Sequence, residues 1–251
     1  MSCTRKLSLL YKFLALCFAI LTGIEANGQL PAPFPGSSIA SSGGMYMTNY
    51  YLPPASSTPF YPAWSPDGNE IVFSMQGSLW KIKVGETVAY ELTAGSTYDS
   101  SPAWSPDGKW IAYTAETDSR HINLSVLNTA TGETHLLTKG KGLNLDPAWS
   151  PDGKRLAFVT TEPDGMFNIH VLDIKNGQPG SSIRLTTATD YGSNRLYFGN
   201  MDLHIEPTWS PDGNEIIFLS NRNIPLGSGA IWRMPVESNG MEKAKIIHRE
   251  E

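Results

Sequence analysis

The chain has 251 residues, of which 19 are basic and 24 acidic, and 40% of the residues are apolar. The apolar fraction is sufficient for a packed core, and the length suits one large domain or two small ones. The net charge of −5 argues against binding to nucleic acid, which requires a basic surface. With 23 glycines, 18 prolines and 10% aromatic residues, the composition favours many short strands and turns.

Residues 1–28 have the pattern of a secretory signal peptide. A basic start precedes an apolar run at residues 13–21. This run is shorter than a membrane span, which needs about 20 residues, and it fits the core of a signal peptide. The small residues Ala26 and Gly28 predict cleavage before Gln29, and therefore a periplasmic or secreted protein without a membrane span after signal removal. An uncleaved anchor or a buried helix is the alternative.

Both cysteines, Cys3 and Cys17, lie within this signal segment. Leu16 is too bulky for the cleavage that precedes a lipid-anchored cysteine, so we reject a lipid anchor at Cys17. The mature chain would have no disulfide and no thiol nucleophile, and its stability would come from packing. It would keep 16 basic and 23 acidic residues, a net charge of −7.

Residues 29–59 form a leader rich in proline, glycine and serine, a composition typical of flexible segments. Within it, residues 45–52 are aromatic enough to predict a strand, which prolines at positions 53, 54 and 59 end. This strand is a candidate closing strand for the domain that follows.

One seven-residue phrase, Pro-Ala-Trp-Ser-Pro-Asp-Gly, occurs four times, and only its second residue changes, once, to Thr208. Proline presets φ for a turn, glycine supplies the positive φ that ends it, and aspartate before glycine caps it. The phrase therefore predicts a tight hairpin between two strands. The residues to which we assign this structural role are Trp64, Asp67, Gly68, Trp104, Asp107, Gly108, Trp149, Asp152, Gly153, Trp209, Asp212 and Gly213.

Two functional interpretations of the phrase are weaker than this structural one. The aspartates would make poor calcium ligands, because no second acid follows at regular spacing. The tryptophans could stack on sugars, but one in every unit indicates a structural core.

The rest of each unit also repeats. An apolar triplet follows every phrase and predicts a strand covered on both faces. A third strand follows at residues 79–84, 122–127, 167–174 and 230–236. A fourth, short strand ends in Leu-Thr in three of the units. Each unit thus contains four strands joined by hairpins.

Four strands in about 40–45 residues is the period of a β-propeller blade. We therefore predict an all-β fold, a β-propeller of four-stranded antiparallel blades. An immunoglobulin-like sandwich would not repeat one phrase four times. The predicted propeller spans residues 60–251, with repeats at about residues 60–95, 100–140, 145–188 and 205–250.

The pattern P-x-W-S-P-D-G-x-x-I-x-[FY] resembles the blade signature of TolB-type, WD-like propellers of the bacterial periplasm, over about residues 60–250. Residues 49–54, 77–80 and 204–222 look like a narrower group, large secreted bacterial proteins. In these a TolB-like propeller precedes an amidohydrolase-type domain.

The number of blades in the functional ring stays open at this point. Either four blades close the smallest ring, or they are the front of a six- or seven-bladed propeller. Two open blade faces would expose roughly 650 Å² of largely apolar surface, which at ~25 cal/mol per Å² is on the order of 16 kcal/mol. We therefore expect the arc to close, to continue or to find a partner, and the resemblance favours a longer ring.

The sequence offers no catalytic residue, cofactor site or metal site. No two of the five histidines lie within ten residues of each other, so no H-x-H or H-E-x-x-H pair of metal ligands occurs. A metal site assembled from separate blades is the alternative, although zinc ligands are usually clustered in sequence. No G-x-S-x-G elbow and no phosphate-binding glycine pattern occur.

The third gap between phrases carries an insertion, residues 187–206, rich in aromatic and charged residues. A loop of this kind on a rigid scaffold is a candidate for recognition, and the alternative is a loop that packs over a neighbouring blade. We expect Arg195 and Tyr197 at the surface, at one end of the ring. The candidate recognition residues are Tyr191, Arg195, Tyr197, Phe198, His204 and Arg222.

These observations favour an exported propeller that acts as a protein- or ligand-binding scaffold, with a protein partner or a covalently continuing domain. The alternative is the amino-terminal propeller of a secreted hydrolase, amidohydrolase-like or less favourably prolyl oligopeptidase-like, whose catalytic domain lies outside these residues. A stand-alone enzyme would need convergent histidines or carboxylates that the sequence does not reveal.

Overall fold

The structure, a computed structural model, describes residues 58–95, 97–116, 121–188, 190–195, 199–224, 229–238 and 240–249. The predicted signal peptide and leader strand lie outside these residues. The described part is all β apart from a short 3-10 helix at Gly240–Lys243. None of its helices is long and apolar enough to cross a membrane.

Sixteen of the strands form four antiparallel sheets, and each sheet keeps its strands in chain order. The first sheet contains β1 (Phe60–Trp64), β2 (Glu70–Met75), β3 (Ser78–Lys83) and β4 (Ala89–Glu91). The second contains β5 (Tyr98–Trp104), β6 (Trp110–Glu116), β7 (Ile122–Asn128) and β8 (Thr134–Leu136). The third contains β9 (Asn144–Trp149), β10 (Arg155–Thr160), β11 (Asn168–Lys175) and β12 (Gln178–Arg184). After the hairpin β13 (Asp190–Arg195) and β14 (Gly199–Met201), the fourth contains β15 (His204–Trp209), β16 (Glu215–Ser220), β17 (Ala230–Pro235) and β18 (Lys245–Arg249). The predicted all-β fold of four-stranded antiparallel blades is confirmed.

The repeated phrase forms the turn between the first two strands of every sheet. In the third sheet the Ser150 hydroxyl donates to Asp152 Oδ1 at 2.6 Å, and the same oxygen accepts the Lys154 N–H at 3.1 Å. The Ser150 hydroxyl also accepts the Arg155 N–H at 2.9 Å. Gly153, with φ +69°, closes the turn by donating its N–H to the Ser150 carbonyl. The other three turns repeat the serine–aspartate contact at 2.6 to 2.7 Å.

The threonine of the Leu-Thr pair continues the hydrogen bonding between the fourth strand and the third. The hydroxyl of Thr138 accepts the N–H of Leu124 at 2.9 Å and donates to Asn123 Oδ1 at 3.1 Å. Thr93 and Thr186 accept the N–H of Leu79 and Ile169 in the same way. A buried hydroxyl thus replaces a backbone acceptor where the strand pairing ends, which keeps a buried N–H satisfied.

Neighbouring sheets pack face to face. The side of the second sheet that carries Leu124 and Val126 packs against Trp149 and Phe158 of the third sheet. Val72 and Leu79 of the first sheet pack in the same way against Ile111 and Tyr113 of the second. Each sheet therefore has a front face, with the phrase tryptophan, that covers the back face of the sheet before it.

The tryptophans are not equally buried, which corrects the expectation of four core residues. Trp149 and Trp209 are each 9% exposed, and their indole N–H groups donate to the carbonyls of Ala103 and Ala148 in the preceding sheet. Trp64 is 58% exposed. The physical reason is its position on the front face of the first sheet, where no described sheet precedes it. The four sheets do not close a ring.

Candidate functional site

The first strands of the four sheets are adjacent, β1 beside β5, β5 beside β9, and β9 beside β15. Between them lies a cavity of about 310 Å³, which we call the inner-strand cavity. Every sheet contributes the first proline of its phrase and the residue before that proline. The lining residues are Tyr61, Pro62, Ser101, Pro102, Asp146, Pro147, Glu206 and Pro207.

An unusual backbone conformation places the four residues before the prolines. Tyr61, Ser101, Asp146 and Glu206 all have φ +51°. Each lies where the pairing with the second strand shifts register, as in a β-bulge. The following proline disfavours the right-handed helical region at these positions. The left-handed region costs a non-glycine residue roughly 1–2 kcal/mol, and its recurrence in all four sheets shows that the fold imposes it.

The electrostatic centre of the cavity is a pair of acidic residues from neighbouring sheets. The Glu206 N–H donates to Asp146 Oδ2 at 3.3 Å. Burial raises the pKa of Asp146 to about 6; this N–H acts against the rise, and the Glu206 carboxylate adds to it. Glu206 itself is exposed and Asp146 is half-buried. The ionised form of Asp146 is thus disfavoured in free energy, and a bound cation would stabilise it.

The remaining residues that line the cavity are less polar. Tyr61, which is 46% exposed, lines the cavity together with the first proline of each of the four phrases. No lysine, arginine or histidine is among the described residues that line the cavity. The cavity therefore offers carboxylates, one phenol, one hydroxyl and apolar ring carbons, a set that can bind but has no nucleophile activated by a base.

The candidate recognition residue His204 is not in a surface loop. It is the first residue of β15, its side chain is 0% exposed, and its ring lies 6.0 Å from the ring of Phe218. Burial lowers the pKa of His204 to about 4. The inserted loop of the prediction therefore ends before His204, because this residue already pairs with Ser220 as the first residue of β15.

Arg222 lies in the turn after β16 and is half-buried. Its N–H donates to the Ser220 hydroxyl at 3.1 Å. Its neighbour Asn221 is buried, accepts the Leu203 N–H at 2.8 Å and donates to the Met201 carbonyl at 3.2 Å. The Arg222 turn is thus tied to the chain that enters β15.

The inserted segment is a hairpin rather than a loop in its described part. Tyr191 and Arg195 lie in β13, which pairs with β14. Tyr197 and Phe198 lie outside the described residues. By strand order, the hairpin and the Arg222 turn lie at the end of the sheets opposite the four phrase turns. The inserted segment remains a candidate for recognition.

The sequence analysis missed the inner-strand cavity. Its signal is the position directly before each phrase, which is a different residue in every unit although the next seven are nearly fixed. No group of three or more histidine, cysteine, aspartate or glutamate residues that could hold a metal ion occurs in the described ranges.

Solved structures with the same fold include two TolB proteins. TolB from Agrobacterium tumefaciens is 26% identical with a TM-score of 0.61, over 77% of this chain and 63% of that one. TolB from Acinetobacter baumannii is 21% identical with a TM-score of 0.59, over 78% of this chain and 44% of that one. The chain thus spans less than two thirds of the length of either TolB chain.

A puromycin-hydrolyzing peptidase of Mycobacterium tuberculosis shares the fold at 17% identity, with a TM-score of 0.57, over 78% of this chain and 30% of that one. No curated protein matches the sequence. The model of PD40, the TolB beta propeller domain, matches residues 117–250, more than half of the chain. The repeated phrase, the four packed sheets and this match agree, and the chain belongs to the TolB beta propeller domain family.

Proposed function

We propose that this propeller is an exported binding module and that a segment of a protein partner enters its inner-strand cavity. One observation carries the proposal. Four repeat positions with the same strained backbone place four different side chains, from Tyr61 to Glu206, around one cavity. A purely structural position would be expected to keep one residue type, as the neighbouring proline and tryptophan do.

The surroundings of the cavity support binding rather than catalysis. The turns and seams around it are rigid, with capped serine–aspartate turns and buried threonine contacts. Backbone strain held by such a scaffold is a common feature of binding sites. The compartment follows from the signal pattern at residues 1–28, which predicts export.

Selection from a phage-displayed peptide library with the purified chain tests this proposal. Peptides enriched on the wild type should lose capture on Ser101→Phe, which fills the cavity. They should keep it on Ser181→Phe, a matched change at an exposed position of β12. Thermal unfolding of both variants checks the fold. Equal capture by the wild type and Ser101→Phe would refute the proposal.

The second candidate function is the propeller of a secreted hydrolase. The observation that favours it is the front face of the first sheet, where Trp64 is exposed and its counterparts are covered by a neighbouring sheet. Such a face suits further sheets or a further domain. Reading the coding frame beyond Glu251 tests this, because more phrases followed by clustered histidines would support a hydrolase. An immediate stop codon would contradict it.

A further inference from the structure

We infer that the inner-strand cavity takes the positively charged side chain of an arginine or lysine from the entering segment. This inference rests on the proposed function and names the chemistry of its ligand. It depends on three features of the cavity: its carboxylates, its apolar lining and its size.

Asp146 and Glu206 come from adjacent sheets, line the same cavity and are joined by the hydrogen bond from the Glu206 N–H to Asp146 Oδ2. In the described part of the chain no lysine or arginine forms an ion pair with either of them. Some acids on other strands and turns do have such a partner, since Glu70 contacts Lys81 at 2.9 Å and Asp164 contacts Arg184 at 2.8 Å. A cationic ligand would supply the missing charge.

The apolar lining of the cavity suits the rest of such a side chain. Lysine and arginine carry an apolar stem below the charged group, and the stem packs on apolar surface while the head stays with polar partners. Proline rings and the ring of Tyr61 provide that surface, and an aromatic ring also attracts a cation over its face. A bare metal ion would make no use of this lining.

The size agrees with a side chain. A volume of about 310 Å³ is at the lower end for small-molecule pockets. The burial that raises the pKa of Asp146 shows that its charge is poorly solvated without a ligand, which strengthens a charge-assisted hydrogen bond to a guanidinium.

The test uses two small probes, acetyl-arginine methylamide and acetyl-citrulline methylamide, which differ in charge and share their shape. We expect NMR titration at pH 7.5 to give at least tenfold weaker binding for citrulline, which corresponds to about 1.4 kcal/mol. The double variant Asp146→Asn, Glu206→Gln should lose the preference for arginine. The matched control Glu133→Gln, Asp173→Asn removes the same net charge at exposed sites outside the cavity and should keep it.

The outcomes separate this inference from the proposed function. Equal binding of both probes, abolished by Ser101→Phe, would overturn the cationic ligand and leave the cavity as a binding site. No binding of the arginine probe at 10 mM, on the order of a hundredfold above a typical weak contact of 0.1 mM, would overturn the inference. Should the double variant fail to fold, Ser101→Arg replaces it, because a tethered guanidinium in the cavity should block the arginine probe.

Discussion

The guanidinium of Arg155 lies over the indole ring of Trp209, 4.6 Å from its centroid, and donates to the Gly213 carbonyl at 3.0 Å. Arg155 begins β10 in the third sheet, whereas Trp209 and Gly213 belong to the fourth sheet and its turn. One side chain thus joins two sheets by a cation–π contact and by a hydrogen bond to a turn. Arginine makes both contacts at once because its planar guanidinium can stack on the ring while one of its separate NH₂ groups reaches the carbonyl, whereas lysine has one compact ammonium group.

Arg155→Lys is therefore expected to lower the free energy of unfolding by about 1–2 kcal/mol, although it keeps the charge. Urea unfolding followed by tryptophan fluorescence measures this. Arg233→Lys is the control, because Arg233 is 49% exposed and its contact with Glu215 is 3.7 Å long, so it should change stability by less than about 0.5 kcal/mol. Equal losses in the two variants would show that the seam contact contributes nothing.

A comparison of Trp209 and Trp64 tests how much the packing of one sheet on the next contributes to the free energy of unfolding. Trp209→Phe removes a buried indole that donates to the Ala148 carbonyl, and it should cost about 2–3 kcal/mol. Trp64→Phe changes the same residue of the same phrase at a site that is 58% exposed. It should cost less than about 0.5 kcal/mol. A loss at Trp64 as large as at Trp209 would mean that another part of the protein covers the front face of the first sheet.

The capped turn is tested at Asp152. Asp152→Ala leaves the Lys154 N–H and the Ser150 hydroxyl without their acceptor and should cost about 1 kcal/mol in urea unfolding. Asp152→Asn keeps an oxygen acceptor and should recover most of this loss. The Ser150 hydroxyl holds the pKa of the Asp152 carboxyl below its ordinary value, so this carboxylate stabilises the fold at neutral pH and loses that effect as the pH falls through its pKa. The smaller loss of stability that remains in Asp152→Asn should therefore disappear on acidification. An alanine variant as stable as the wild type would contradict the capping role.

These tests concern features that the sequence could predict, because their causes are local. Asp152 and Gly153 specify a turn within four residues, and the apolar triplets specify a covered strand wherever they occur. The repetition of a local pattern was enough to identify the fold. Even so, the exposure of Trp64 could not be predicted from its phrase, since it depends on which sheet lies in front.

The inner-strand cavity depends on relations that no local pattern contains. The proline after Asp146 restricts its backbone, but the left-handed conformation arises from a register shift against β10. Asp146 and Glu206 are 60 residues apart in sequence and meet only because β9 and β15 are neighbours. His204 was misplaced for a related reason, because the sequence does not show where the insertion ends and β15 begins.

The burial of His204 should make the fold sensitive to acid. Burial lowers the pKa of His204 to about 4, against about 6.5 in an unfolded chain. Above pH 6.5 His204 is neutral in the folded and the unfolded state, so its protonation does not change stability. As the pH falls from 6.5 to 4, the unfolded state binds the proton first, so stability decreases by on the order of 3 kcal/mol.

His204→Asn tests this effect, since Asn144 occupies the same repeat position in the third sheet. Urea unfolding at pH 7.5 and at pH 4.5 should show a smaller decrease for the variant than for the wild type. His170, whose pKa burial also lowers to about 4, contributes a similar decrease that the variant keeps. An unchanged pH dependence in His204→Asn would show that His204 is not the source.

Asp146 should act in the opposite sense, because its pKa is raised to about 6 by burial. A raised carboxyl pKa means that the folded state binds the proton more tightly than the unfolded state, so ionisation at neutral pH lowers stability. Asp146→Asn removes this cost. It should raise the free energy of unfolding at pH 7.5 by on the order of 2 kcal/mol and change it little at pH 4, where the wild-type carboxyl is protonated.

The control is Asp173→Asn, which changes an exposed carboxylate and should leave stability at pH 7.5 nearly unchanged. A gain in stability together with a loss of the arginine probe would mean that the fold keeps this carboxylate for binding. A loss of stability at pH 7.5 would instead mean that Asp146 holds the third and fourth sheets together through the Glu206 N–H.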